Sequence, residues 1–235
     1  MKFDHAVYFS DRTPAEDAER WTFRGMPAAP GGSHENWGTQ NALFYAENGY
    51  IESLSIEHPD IAGVSGHPLT RLLVQDLEHD GPGWGTLCLR PGDLHSFEEG
   101  LLSRGIRTSG VLDASRRTAD GELLKWKMLF VEEEPGESLP LPFFIDWGIP
   151  DEKRLAGLLK SGTMPEGNRA FRIETCTFQV QDPVRAAVRW AEVLGLEAPE
   201  ADRIPLENGV DLVFVQGGPG RERLSGVEVV RETGH

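Results

Sequence analysis

One unit recurs three times along the chain: a short apolar strand, a break containing Asp, then a helix with apolar residues three and four apart. It runs from Asp4 to Trp21, from Gly85 to Leu102 and from Thr175 to Trp190. Such a repeat constrains the fold more than composition does, because each copy must bury its helix against its own sheet.

Each unit continues into hairpins. After the first helix, the glycine-rich stretch Gly31–Gly38 reads as a loop or short strand and Thr39–Ala46 as a strand. Glu47-Asn48-Gly49 then carries the Asn-Gly hairpin signal, and Tyr50–Glu57 is the returning strand. His5 is expected on one strand face with Phe3, Val7 and Phe9, and Glu52 on one face with Leu54 and Ile56. A connection over residues 58–83 contains helical spacing from Pro68 to Leu77, with a proline suited to a first turn. The second unit repeats the plan. A strand starts at Gly110, a turn falls at Ala119–Glu122, and further strands span Leu123–Glu132 and Pro140–Trp147. Lys125 and Lys127 alternate with Trp126 and Met128, so one face is either wet or lines the cavity.

Residues 148–169 read as a boundary with one short helix. The third unit has strands Phe171–Val180, Arg203–Leu206, Val210–Val215 and Val227–Arg231. The fold class is therefore α+β: paired βαβββ modules in a curled, mainly antiparallel sheet around a pocket, plus a third smaller βα module. The paired modules occupy residues 1–150, at about 1–60 and 84–148, and the third short βαβββ-like module residues 170–235.

The 235 residues suffice for a substantial core without disulfides. With 38 acidic against 23 basic residues, the formal charge of −15 argues against nucleic acid and anionic membranes as partners. Cys88 and Cys176 sit inside strands with no CxxC spacing, as buried cysteines of a reduced protein do. No leader is read before the strand at Lys2 and no apolar run of membrane-spanning length occurs, so a cytoplasmic protein is expected. No GxSxG, P-loop or GxGxxG occurs, and Gly217-Gly218-Pro219-Gly220 reads as a turn.

Phe3-Asp4-His5-Ala6-Val7, the segment Gly32–Asn41 and Arg116–Gly121 followed by Trp126 resemble the glyoxalase-like branch of the vicinal oxygen chelate superfamily. Glyoxalase I, extradiol dioxygenases and bleomycin-resistance proteins are members. The resemblance implies a pocket between two modules and, where a metal is used, ligands on the first and last strands of each. His5 and Glu52 match those positions in the first module. Thr86 or Cys88, and Phe143 or Phe144, stand in the second, so a full set needs help from His34, Asp146 or His95.

Two small-molecule readings stay open, beside a third in which the chain is an interaction module with a vestigial pocket. In one, His5 and Glu52 hold a divalent metal (Zn, Mn, Ni or Fe(II)), with Glu52 and His34 as catalytic groups of a lyase, isomerase or dioxygenase. In the other, the chain is a metal-free binder of a small molecule, of bleomycin-resistance type, and no cofactor is used. Asn41, Arg117 and Trp126 are candidate ligand-binding residues, for hydrogen bonding, anion pairing and apolar contact. The third half-module leaves a sheet face and an edge to cover, which either the paired modules or a homodimer would provide.

Overall fold

The computed structural model describes residues 1–117, 123–132, 139–197, 199, 202–218 and 220–232, with Arg117 described in its backbone alone. The expected turn at Ala119–Glu122 lies outside the described residues. Among the described residues, twelve strands form two sheets. The first module contributes β1 (Lys2–Ser10), α1 (Pro14–Phe23), β2 (Ala29–His34), β3 (Thr39–Ala46) and β4 (Gly49–Ile56). A short turn α2 (Pro59–Ala62) and helix α3 (Pro68–His79) lead to the second module. That module holds β5 (Gly83–Arg90), α4 (Leu94–Ser103), β6 (Leu112–Arg117), β7 (Leu123–Leu129) and β8 (Phe143–Asp146). Helix α5 (Asp151–Lys160) and a 3-10 turn at Glu166–Ala170 precede β9 (Phe171–Val180), α6 (Pro183–Leu194), β10 (Arg203–Pro205), β11 (Asp211–Gln216) and β12 (Arg223–Arg231).

The eight-stranded sheet runs β2-β3-β4-β1-β5-β8-β7-β6, with β1–β4 and β5–β8 parallel and the other pairs antiparallel. It curls until its edges meet, where Arg116 Nη1 donates to Gly31 O at 3.0 Å. The third module forms a separate sheet, β10-β11-β9-β12.

Helices start where side chains can satisfy free backbone donors. Thr13 and Glu16 form a capping box on α1, while Asp93 caps α4 and Asp182 caps α6. Strand β8 is shorter than the expected Pro140–Trp147. Pro140 and Pro142 have no N–H for a ladder, so pairing starts at Phe143.

The outer face of β1 and β5 carries Phe3, Ala6, Tyr8, Leu87 and Leu89. These share one apolar cluster with Trp21 of α1, Leu94 and Leu101 of α4, and Phe171, Ile173, Phe178 and Trp190 of the third module. The third sheet thus packs against the paired modules within the same chain. Two asparagines fasten it. Asn208 accepts from Phe3 N and donates to Phe3 O and Asn48 O, and Asn48 exchanges hydrogen bonds with Ile173.

The first hairpin differs in detail from its Asn-Gly signal. Ala46 pairs with Gly49, so Glu47 and Asn48 form the loop, and neither has a positive φ. Asn48 serves the third module instead, and Gly49 is needed because a Cβ there would meet the Phe3 ring 2.7 Å away.

Strand β1 also corrects an expectation. Phe3 pairs with Leu89 and His5 with Cys88, so Asp4 is an extra residue in a bulge. The bulge reverses the alternation. Phe3 turns outward, while His5, Val7 and Phe9 turn toward the inside of the curl.

Candidate functional site

The inside of the curl holds a narrow cavity. Leu69 and Leu73 of α3 pack over Val7, Phe9 and Leu54 at one end. Leu155, Leu158 and Leu159 of α5 pack over Leu43, Tyr45 and Tyr50 at the other. About 40 Å³ between them is open to the centre of a water molecule. His5, His34, Asn41, Glu52 and Trp126 all line this cavity, whereas Asp146 lines a separate surface groove and His95 stands outside beside Lys127, so neither completes a ligand set. The Arg117 side chain lies outside the described residues. Its neighbour Arg116 lines the cavity.

At the floor, His5 Nε2 is 3.4 Å from Glu52 Oε2, and Asn41 Nδ2 donates to Glu52 Oε1 at 2.6 Å. Asn41 Oδ1 accepts from Gly32 N at 3.0 Å, which ties β2 to the site. Gly31 admits this contact, because a Cβ there would collide with Asn41 Oδ1. The bulge aims Asp4 at the other side of the imidazole, with Oδ1 2.7 Å from His5 Nδ1. Trp147 Nε1 donates to Asp4 Oδ2 at 3.0 Å, and Arg90 Nη1 lies 3.6 Å from it. Tyr50 stacks on His5 at 4.3 Å and Phe143 meets it edge-on at 5.5 Å.

The electrostatics follow from burial and pairing. Burial opposes charge on His5. The Cys88 sulfur and the Asp4 and Glu52 carboxylates outweigh it and hold the imidazole pKa well above its ordinary value. Burial pushes the Cys88 thiol up to about 12, so it stays protonated at neutral pH and the two carboxylates carry the charge balance of His5. Burial would also raise Glu52, but the His5 hydrogen bond and charge, with His34 and Asn41, bring it down to about 2. Asp4 is likewise held below the usual carboxylate range against its burial, chiefly by His5 and Arg154. His34, with Nδ1 3.1 Å from Thr39 Oγ1, is lowered to about 4 by burial and is neutral at pH 7.

The second module supplies the opposite wall. Trp126, Met128, Phe143 and Ile145 face the cavity, while Lys127 turns outward, 3.1 Å from His95 Nε2. Phe144 also points outward, against Phe97 of α4 at 4.5 Å. Thr86 bonds Leu141 O at 3.3 Å and faces a neighbouring groove. Cys88 and Phe143 therefore stand beside His5 at the second module's positions.

Asp4, His5 and Cys88 bring three ligand-type atoms within 4.8 Å of one another. As a metal site the trio is poor, because both Asp4 oxygens are already engaged, by His5 Nδ1 and Trp147 Nε1. His5 and Glu52 fit better. Two ligands about 2.0–2.2 Å from one divalent ion stand roughly 3–3.5 Å apart, as His5 Nε2 and Glu52 Oε2 do at 3.4 Å. A carboxylate on the remote nitrogen is also the usual support of a metal-binding histidine.

Asp4, His67 and Arg116 gave no functional signal in the sequence. The bulge that aims Asp4 has no residue signature. His67 lay in a segment read as a connection, and Arg116 was hidden by the unknown phase of β6.

A family model described as a glyoxalase-like domain matches residues 3–194. The crystal structure of a hypothetical protein from Staphylococcus aureus superposes with a TM-score of 0.81 at 22% sequence identity, over 97% of this chain and 90% of that one. This is a likeness of fold over nearly the whole chain. Methylmalonyl-CoA epimerase from Mycobacterium tuberculosis gives a TM-score of 0.44 at 16% identity, over 61% of this chain and 85% of that one. The chain matches no curated protein. Among the described residues no helix is long and apolar enough to cross a membrane.

Proposed function

The chain belongs to the glyoxalase-like domain family of the vicinal oxygen chelate superfamily, and we propose that it binds a small molecule in the central cavity, beside a divalent cation held by His5 and Glu52. The observation that carries this reading is the doubly braced pair. Asp4 fixes His5 with Nε2 toward Glu52, and Asn41 fixes Glu52. A bound divalent ion would supply Lewis-acid stabilisation of an oxyanion on a ligand with neighbouring oxygens.

The residues do the rest. Asp4 holds the His5 ring with Nε2 toward Glu52 and would fix its Nδ1–H tautomer once an ion is bound. Trp126, Met128, Phe143 and Ile145 exclude water and so strengthen the polar side. His34, neutral at pH 7 and buried near Glu52, is placed to take a proton from a bound ligand. In this reading the reaction is an isomerisation or lyase step. Residues 1–150, with α5 over one end of the cavity, form the ligand-binding domain, and the module from 170 to 235 covers its outer side.

A second reading, a metal-free binding protein, draws on Cys88 and Phe143, since among the described residues the second module offers no imidazole or carboxylate beside His5. Elemental analysis of the native protein beside the His5→Ala, Glu52→Ala double variant separates the two. Near-stoichiometric metal that is lost in the variant is the expected result. Absence of metal from both, after incubation with Zn, Mn, Ni and Fe(II), would favour the binder.

A further inference from the structure

The roof of the cavity contains a side chain that the proposed site does not use. His67 ends the connection between α2 and α3 and stands at the N-cap position of α3, yet its side chain makes no cap hydrogen bond. Its backbone is satisfied, with His67 N donating to Ser65 Oγ at 3.2 Å and His67 O accepting from Arg71 N at 3.0 Å. Its ring lines the cavity, and both ring nitrogens are buried without a hydrogen-bond partner.

Packing alone holds the ring. It stacks on Trp37 with centroids 3.9 Å apart and meets Phe130 edge-on at 5.2 Å. Burial lowers its pKa to about 4, so at neutral pH it offers one N–H and one lone pair. A buried polar group left without a partner is costly to the fold. An aromatic residue would stack equally well, so packing does not require these nitrogens.

Two other features of the lining restrict what could meet them. The space is thin and walled by aromatic rings, among them Trp37, Trp126 and Trp147, which suits a flat ring. Arg116 is the one arginine or lysine among the described lining residues. Its contact with Gly31 O uses one donor of a five-donor fork.

We propose that His67 is a ligand-binding residue, hydrogen-bonding the hydroxyl of a flat aromatic acid whose carboxylate pairs with Arg116. This rests on the reading of the cavity as a small-molecule site and gives that site its substrate class.

The test is titration of the full chain with benzoate, its three hydroxybenzoate isomers and cyclohexanecarboxylate, followed by calorimetry and tryptophan fluorescence. At least one hydroxybenzoate should bind about tenfold more tightly than benzoate, and cyclohexanecarboxylate more weakly than either. His67→Phe keeps the stack and removes the nitrogens. It should abolish the hydroxyl preference while leaving benzoate affinity unchanged, and should unfold at or above the native temperature without ligand. His67→Gln, which restores a donor and an acceptor, should recover part of the preference. Arg116→Gln should weaken all the aromatic acids together.

A hydroxyl preference that persists in His67→Phe would overturn the inference and leave water as the partner of the ring. Failure of every probe to bind the native protein at millimolar concentration would overturn it too. Metal uptake is read on the same samples. Uptake retained without probe binding sinks this inference alone, whereas loss of both sinks the reading beneath it.

Discussion

The two modules present opposite chemistry to one cavity. The first contributes His5, Asn41 and Glu52, braced from behind by Asp4. The second contributes mainly Trp126, Met128, Phe143 and Ile145, with Arg116 at the sheet edge as its charged lining side chain and Cys88 paired to His5 across the sheet. Their central strands match closely in plan: β1 pairs parallel with β4, and β5 with β8. Repetition of a backbone plan therefore did not repeat its chemistry. The apolar half lowers the local dielectric, which strengthens interactions of the charged half and raises the cost of leaving any of its members unpaired.

That asymmetry is open to attack at single residues. Asp4→Ala would leave His5, Trp147 Nε1 and Arg90 facing an empty acceptor site. A loss of about 3 kcal/mol is expected from urea unfolding, against less than about 1.5 kcal/mol for Met128→Leu on the opposite wall. Equal losses would erase the contrast.

Acid should act on the polar half in a defined order. Glu52 is depressed to about 2 from an ordinary 4.5, and His34 and His67 to about 4 from 6.5. In each case the unfolded chain binds the proton more readily, so stability rises with pH through the window and is lost as pH falls. The two histidines act between pH 6.5 and about 4, and Glu52 between 4.5 and about 2. His5 has the opposite sign. Its raised pKa contributes stability that is complete below 6.5 and lost as pH rises through the folded value. Thermal melts from pH 8 to pH 3 read the acid limb, and His67→Phe should reduce its upper part.

A control away from the cavity comes next in size. Asn208→Ala removes three hydrogen bonds between the third module and the paired modules. It should cost about 2 kcal/mol while leaving metal content unchanged. Smaller still, Phe143→His would carry first-module chemistry into the second. If the pair holds a cation, metal affinity should rise about tenfold, since even supporting residues of metal sites are worth that much. Unchanged affinity would detach Phe143 from the site.

Much of the frame was legible, because strand alternation, helix caps and the threefold strand–helix unit are local signals. The convergence of His5, His34, Asn41, Glu52 and Trp126 came from resemblance rather than periodicity. Periodicity misled at Phe3, where the Asp4 bulge reverses the face, and was silent on Arg116, which lines the cavity. Helix α5 was visible as a short helix. Its role as a cavity lid was not, because Leu155, Leu158 and Leu159 acquire that role only by crossing the sheet to Tyr45 and Tyr50.

The central claim is that the first module alone braces the cation-binding pair. The most direct measurement is an anomalous difference map from crystals of the native protein soaked in Mn(II) or Zn(II). A peak bridging His5 Nε2 and the Glu52 carboxylate, about 2.0–2.3 Å from each, is the predicted result. A peak between Asp4 and Cys88, or none in the cavity, would contradict it.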